Sequence, residues 1–118
     1  MYHKFEKLEV WRLSRVFVSK IYLLTRDYPK TELFGLISQL RRVAISILLN
    51  IAGGSARQSD IEFRRYLIMS LASLEEVVSA MYISLDQKFI NQEKFNTIYE
   101  ESHALAIKIK SFINFLSK

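Results

Sequence analysis

From Val10 onward, apolar residues return at steps of three or four: Val10, Leu13, Phe17, Ile21, Leu24 and Tyr28. That spacing lays them along one side of a helix. The stripe stops at Pro29, whose ring pushes the preceding residue out of the α region. A second stripe runs Leu33, Ile37, Leu40, Ala44, Ile47 and Ile51, with Thr31 placed to cap it and Gly54 placed to close it in a left-handed conformation. Ser59 followed by Glu62 is a capping-box pattern, in which hydroxyl and carboxylate each take a free backbone N–H at the start of a third helix. That helix carries Phe63, Tyr66, Ser70, Leu74, Val77, Met81 and Leu85 and frays near Lys88 to Ile90. Asn91 caps a fourth, whose seam of Phe95, Ile98, Ser102, Leu105, Ile109, Phe112 and Leu116 alternates steps of three and four. Short connections between helices of similar length predict an all-α, antiparallel up-down-up-down four-helix bundle, a single domain over residues 1–118.

Composition supports long helices, because the chain has only three glycines and one proline. All four lie between Pro29 and Gly54. The absence of cysteine excludes disulfides, thiolate metal sites and cysteine nucleophiles, and fits a reducing compartment. The start, MYHKFEKLEVW, lacks the continuous apolar stretch of a secretory signal. The richest apolar run, Val43 to Ile51, is broken by Ser46 and Asn50 and is under half of the roughly 20 residues a bilayer span requires. A cytoplasmic location without membrane contact is therefore expected. Off the first stripe, Phe5, Leu8 and Trp11 form a second apolar strip that a lone copy leaves wet and an oligomer buries.

Gln39, Arg42, Ser46 and Asn50 stack along one side of the second helix. In an antiparallel hairpin, facing positions sum to about 115, which sets Arg42 against Ser73, Gln39 against Glu76, Ser46 against Ser70 and Asn50 against Tyr66. A hydrogen-bonded ladder follows, with Arg42 in reach of Glu76. Two readings stay open: a structural network that fixes helix register, or a ligand or subunit-contact site.

Charge adds a partner class. The chain carries +5 overall, and residues 1–59 hold ten Lys/Arg against four Asp/Glu, while residues 60–118 hold seven against eight. Such asymmetry favours RNA, DNA or an acidic protein as partner. The candidate nucleic-acid residues are Arg12, Arg15, Arg41, Arg57, Arg64 and Arg65, since a guanidinium grips phosphate bidentately and the N-terminus of the third helix attracts anions. The plain alternative is a solvated basic face. Catalysis has little to stand on: His3 and His103 are far apart, and no HExxH pair or phosphate-cradling lysine loop is present. Glu75–Glu76 and Glu100–Glu101 are adjacent acids that point about 100° apart on a helix, which argues against a carboxylate dyad. No enzyme activity, cofactor or metal is expected.

The segments FEKLEVWRLS, YPKTELFGLISQLRRVAISILLNIAGGSARQSDIEF and SLEE resemble the four-helix-bundle proteins encoded in intervening sequences of bacterial 23S rRNA genes, from Phe5 to about Lys110. The resemblance implies a small cytoplasmic bundle that assembles as a ring-shaped homopentamer and has no established biochemical activity. The family pattern places a glutamate at Gly53 and a glycine at Ala72. Those departures leave the basic corner more positive and add a methyl group at an expected helix contact. In fold and charge the chain is also similar to the accessory variability protein of diversity-generating retroelements, a basic pentameric barrel that binds a reverse transcriptase and nucleic acid. The combined expectation is a non-enzymatic, basic homo-oligomer that binds RNA or other nucleic acid through phosphate contacts. A protein–protein adaptor is the alternative.

Overall fold

A 3-10 turn over Lys4–Lys7 leads into the first long helix, α1 (Glu9–Thr25), in this computed structural model, which describes residues 2–118. Three more follow: α2 (Ser38–Ser55), α3 (Asp60–Asp86) and α4 (Gln92–Leu116). Cross-helix contacts give their directions. Glu9 pairs with Lys108 and Lys20 with Glu101; Phe63 meets Phe112 and Tyr82 meets Phe95; Ser70 reaches Ile47 and Ser73 reaches Ser46. Rising numbers on one helix meet falling numbers on the other, so α4 runs counter to α1 and to α3, and α3 counter to α2. The resulting rod measures 44 × 23 × 21 Å.

The periodic stripes form the core. Val10, Phe17, Ile21 and Tyr28 of the first, Ile37 to Ile51 of the second, and the inner positions of α3 and α4 are buried together. Leu13 and Leu33 are not; both remain exposed. Ser14 and Thr25 fill their places on the buried side of α1, each hydroxyl donating to a carbonyl of its own helix, at 2.7 Å to Val10 and 2.8 Å to Ile21. That local bond satisfies the hydroxyl and makes a buried Ser or Thr tolerable.

Helix ends differ from the sequence reading at three points. Thr31 does not cap α2. It lies inside a 3-10 turn, Lys30–Glu32, and the Glu32 carboxylate accepts the Leu36 N–H at 3.1 Å instead. One π-helical turn, Leu33–Ile37, follows, with Gly35 at φ −110°, ψ −112°. Ser59 does accept the Glu62 N–H at 3.1 Å, but the Glu62 carboxylate turns to Arg65 at 3.3 Å, so only half of the capping box forms. Asn91 caps α4 as expected, accepting the Lys94 N–H at 2.8 Å.

Gly54 is the third difference. It does not close α2 in a left-handed conformation; the helix passes through both glycines to Ser55, and the chain turns over residues 56–59. The reason for a glycine lies across the corner. A Cβ there would stand 2.6 Å from Tyr66 Cβ and 2.9 Å from Phe63 Cδ1, so only a bare α-carbon lets α3 approach this closely. Gly53 faces a looser spot, where a Cβ would meet the Tyr66 ring at 3.5 Å, an ordinary contact. Ala72, expected at a close helix contact, is exposed, so its methyl group does not widen any crossing.

The stretches Lys30–Ser55 and Asp60–Asp86 are long and apolar enough to cross a bilayer, with mean hydropathies of 1.3 and 1.4. The expectation drawn from Val43 to Ile51 alone understated them. Their apolar residues divide between the core and an outward face that carries Leu49, Ile61 and Ile68.

Two stability predictions follow from these packing facts. Gly54→Ala lowers unfolding free energy by about 1–3 kcal/mol through overpacking, whereas Gly53→Ala raises it by about 0.5–1 kcal/mol through helix propensity; urea unfolding of the pair checks the opposite signs. Tyr28 is buried, its hydroxyl beside Ser84 but without a well-formed hydrogen bond among the described residues. Burial raises its pKa above the ordinary 10.0, a rise that nearby Ser84 moderates. The unfolded chain therefore loses this proton first as pH climbs past 10, so stability is complete below that value and falls above it. Tyr28→Phe removes that share of the alkaline loss, measurable by urea unfolding at pH 9 and above.

Candidate functional site

The basic residues concentrate where the α2–α3 corner meets the chain's N-terminal turn. That turn is tied down: the Glu6 carboxylate accepts the His3 N–H at 2.7 Å, and Arg12 Nε donates to the Glu6 carbonyl at 3.0 Å. Phe5 packs on Trp11 at 4.8 Å between ring centres, and Leu8 and Trp11 rest against the core. The strip expected to need an oligomer is thus largely covered within the chain. Lys4 Nζ lies 5.9 Å from the Phe63 ring centre, which brings it beside the start of α3, while Lys7 lies toward the end of α4, in a groove shared with Phe112 and Phe115. Neither lysine stands out in the sequence, although Phe5 between them marks a segment with something to bury.

At the corner itself, the Arg57 guanidinium donates to the Tyr66 hydroxyl and lies over its ring, 4.7 Å from the centre. Arg64 donates to the Leu116 carbonyl at 3.3 Å, where the unpaired carbonyls of the α4 C-terminus favour a cation. Arg65 makes an exposed ion pair with Glu62, which leaves much of its guanidinium in water. Arg15 stands one turn above Arg12 on α1, over the Trp11 ring at 5.8 Å. Among the described residues, this end gathers Lys4, Lys7, Arg12, Arg15, Arg57, Arg64, Arg65 and Lys108 against Glu6, Glu9, Asp60 and Glu62.

Two sequence expectations fail here. Arg41 does not join the cluster: sixteen residues of α2 separate it from Arg57, about 24 Å along the axis. It is half-buried, donating through Nε to Thr25 Oγ1 at 2.9 Å and through Nη2 to the Tyr22 carbonyl at 3.4 Å, with the Tyr22 ring centre 4.5 Å away. It clamps α2 to the end of α1. The α3 N-terminus is also a poor anion site, because Asp60 and Glu62 already occupy its first turn with negative charge.

The polar ladder exists only in its middle. Ser73 donates to Ser46 at 2.9 Å and Ser70 to the Ile47 carbonyl at 2.9 Å, both between helices. Asn50 stays on its own helix, bonding Ser46 at its carbonyl (2.9 Å) and hydroxyl (3.1 Å). Arg42 likewise turns back to Gln39 at 3.1 Å, and Glu76 is exposed and does not pair with it. The meeting positions sum to 117 and 119, not 115. Side chains lean toward the N-terminus of their own helix by about one position, so in an antiparallel pair the sum rises by about two. Arg42 and Glu76 lie on the wet margin, where the entropy of holding two long side chains offsets the gain of pairing. The ladder thus carries the register, and it offers no cluster of free polar groups.

Among the described residues, no group of three or more His, Cys, Asp or Glu side chains converges. A groove of about 780 Å³ runs along the outer side of α2 and is lined chiefly by Tyr22, Leu33, Phe34, Arg41, Arg42 and Leu49.

A family model described as 23S rRNA-intervening sequence protein matches residues 6–111. Among solved structures, the chain is similar to a protein of unknown function from the S23 ribosomal protein family of Bacteroides thetaiotaomicron. The two share 22% identity over 88% of this chain and 97% of that one, with a TM-score of 0.77. That likeness shows the fold. Among curated proteins, none matches.

The neighbouring arginines of α2 separate by role. Arg41→Met removes two charged hydrogen bonds and lowers unfolding free energy by about 2 kcal/mol, while Arg42→Met changes it by less than about 0.5 kcal/mol. Urea titration of the two variants checks the contrast.

Proposed function

The chain belongs to the 23S rRNA-intervening sequence protein family, and from that premise we propose that it is a non-enzymatic bundle that binds RNA or other nucleic acid while assembled with copies of itself. The observation that carries the reading is the cationic end, where Lys4, Lys7, Arg12, Arg57 and Arg65 are exposed around the corner and outnumber nearby acids. Arginine and lysine at such a surface contact phosphate without reading sequence. Arg57 enters this role with its guanidinium already stacked on Tyr66, which reduces the entropy lost when a phosphate docks. Arg64 contributes less, since it holds the end of α4, and Arg41 contributes nothing directly.

Assembly raises the effect. Five copies, as the family resemblance implies, would carry five times +5, or +25. Presenting several weak phosphate sites on one particle multiplies affinity without any new contact. In this reading the protein needs no cofactor or metal and works in the cytoplasm away from membranes. A second reading, an adaptor for an acidic protein, draws on the apolar residues left exposed on the turn before α2 and on α2 and α3, Phe34, Leu49, Ile61 and Ile68 among them. Affinity purification after nuclease treatment separates the two, because an adaptor keeps its partner and a nucleic-acid binder loses it.

Binding of a structured RNA across a salt series tests the proposal. Affinity falls linearly in log salt, and Arg57→Gln with Arg65→Gln lowers the slope by about 0.7–0.9 for each phosphate that is no longer neutralised. Arg42→Gln, on the α2 flank, leaves the slope unchanged. No measurable binding at low salt overturns the reading.

A further inference from the structure

The cationic end also carries an open aromatic ring. Lys108, Ser111, Phe112 and Phe115 recur at steps of three and four, which stacks them along one side of α4. Together with Lys7 and Glu9 from the start of the chain they line a groove of about 350 Å³. Phe112 is partly buried against the core and meets Phe63 edge-on, with 5.3 Å between ring centres. Phe115 lies nearly parallel to Phe112, at 17° between planes and 6.2 Å between centres. It is the outermost of three rings rooted in the core, and it remains 67% exposed.

The available charge around this ring is positive. Among the described residues Lys7 makes no ion pair, and Lys108 meets only Glu9, at 3.3 Å in a pair open to water. Exposed pairs of this kind contribute little, so a phosphate can take over the ammonium. Ser111 adds an exposed hydroxyl to the same wall. Behind it, Lys4 stands 5.9 Å from the Phe63 ring centre, so the row of rings is flanked by cations along its length.

We propose that this groove takes an unpaired nucleotide, with its base stacked on Phe115 and the flanking phosphates held by Lys7 and Lys108. The proposal rests on the nucleic-acid reading above and names its substrate class: single strands, loops and frayed ends, not uninterrupted duplex. In a duplex each base lies between its neighbours and shows only its edges in the grooves, so no base face is free to cover the ring. An aromatic face beside a cationic groove suits sequence-tolerant binding of single strands, because every base has a flat π-face and every nucleotide a phosphate. A protein segment would need a carboxylate and a flat ring placed together by its sequence, whereas each nucleotide supplies both. The groove's volume falls at the low end of the range for small-ligand sites, about 300–1,000 Å³.

Fluorescence anisotropy on the full chain tests this with three probes: a short single-stranded RNA, an abasic strand of equal length, and a long RNA duplex. Phe115→Ala weakens binding of the single strand by about fivefold or more and leaves the abasic strand and the duplex within about twofold. Phe115→Leu, which keeps apolar bulk, behaves like Phe115→Ala, whereas Phe115→Tyr keeps the affinity. The ring is uncharged, so these variants leave the salt slope for the single strand unchanged, while Lys7→Gln lowers it by about 0.7. Phe115 is exposed near the end of α4, so helix content by circular dichroism stays constant. Single-strand binding indifferent to Phe115, or an equal loss for the abasic strand, overturns this inference and leaves the phosphate reading standing. A Phe115→Ala variant that changes particle mass in light scattering while binding RNA as before assigns the ring to a contact between copies and likewise overturns it. No binding of any probe at low salt overturns both.

Discussion

The close approach of α2 and α3 at Gly54 is the constraint on which the remaining geometry depends. With a Cβ at 2.6 Å from Tyr66 Cβ, the two helices would part. Held together, they place Ser46 opposite Ser73 and the Ile47 carbonyl opposite Ser70, within bonding distance. Each bond is worth only about 1 kcal/mol. Their larger effect is on register, because a slide of one helix past the other would leave buried hydroxyls without partners. Close packing and polar pairing therefore select the same alignment.

That alignment decides what each arginine does. Near the corner, Arg57 finds Tyr66 on the facing helix and Arg64 finds the last carbonyls of α4. At the other end, Arg41 meets Thr25 and Tyr22 and becomes an interhelix clamp. One residue type thus serves as clamp, helix-end cap and surface cation, according to how many of its five donors the surroundings consume. Exposed cationic charge remains at the end where the donors are not all used.

The four helices were legible because a buried stripe must repeat with the helical period, and Val10 to Tyr28, with Leu13 the exception, and Phe95 to Leu116 do so. Ser59 and Asn91 were legible because a side-chain cap acts within three residues. What sequence could not disclose was long-range. Gly54 looks like a helix stop until Tyr66 and Phe63 are placed beside it. Arg41 looks as free as Arg42 until α1 supplies Thr25. The ladder shifted by two positions because side-chain lean is invisible in a count of facing residues. Lys4 and Lys7 escaped notice because a four-residue turn has no period to detect.

Native-state hydrogen exchange measures the central claim most directly. If the α2–α3 pair is the organising interface, the slowest-exchanging amides lie in its closely packed middle, residues 43–51 and 67–77, and they exchange only by global unfolding. Amides of α1 and α4 exchange sooner, through partial openings that leave α2 and α3 paired. Slowest exchange in α1 and α4, with α2 and α3 opening first, would contradict the account.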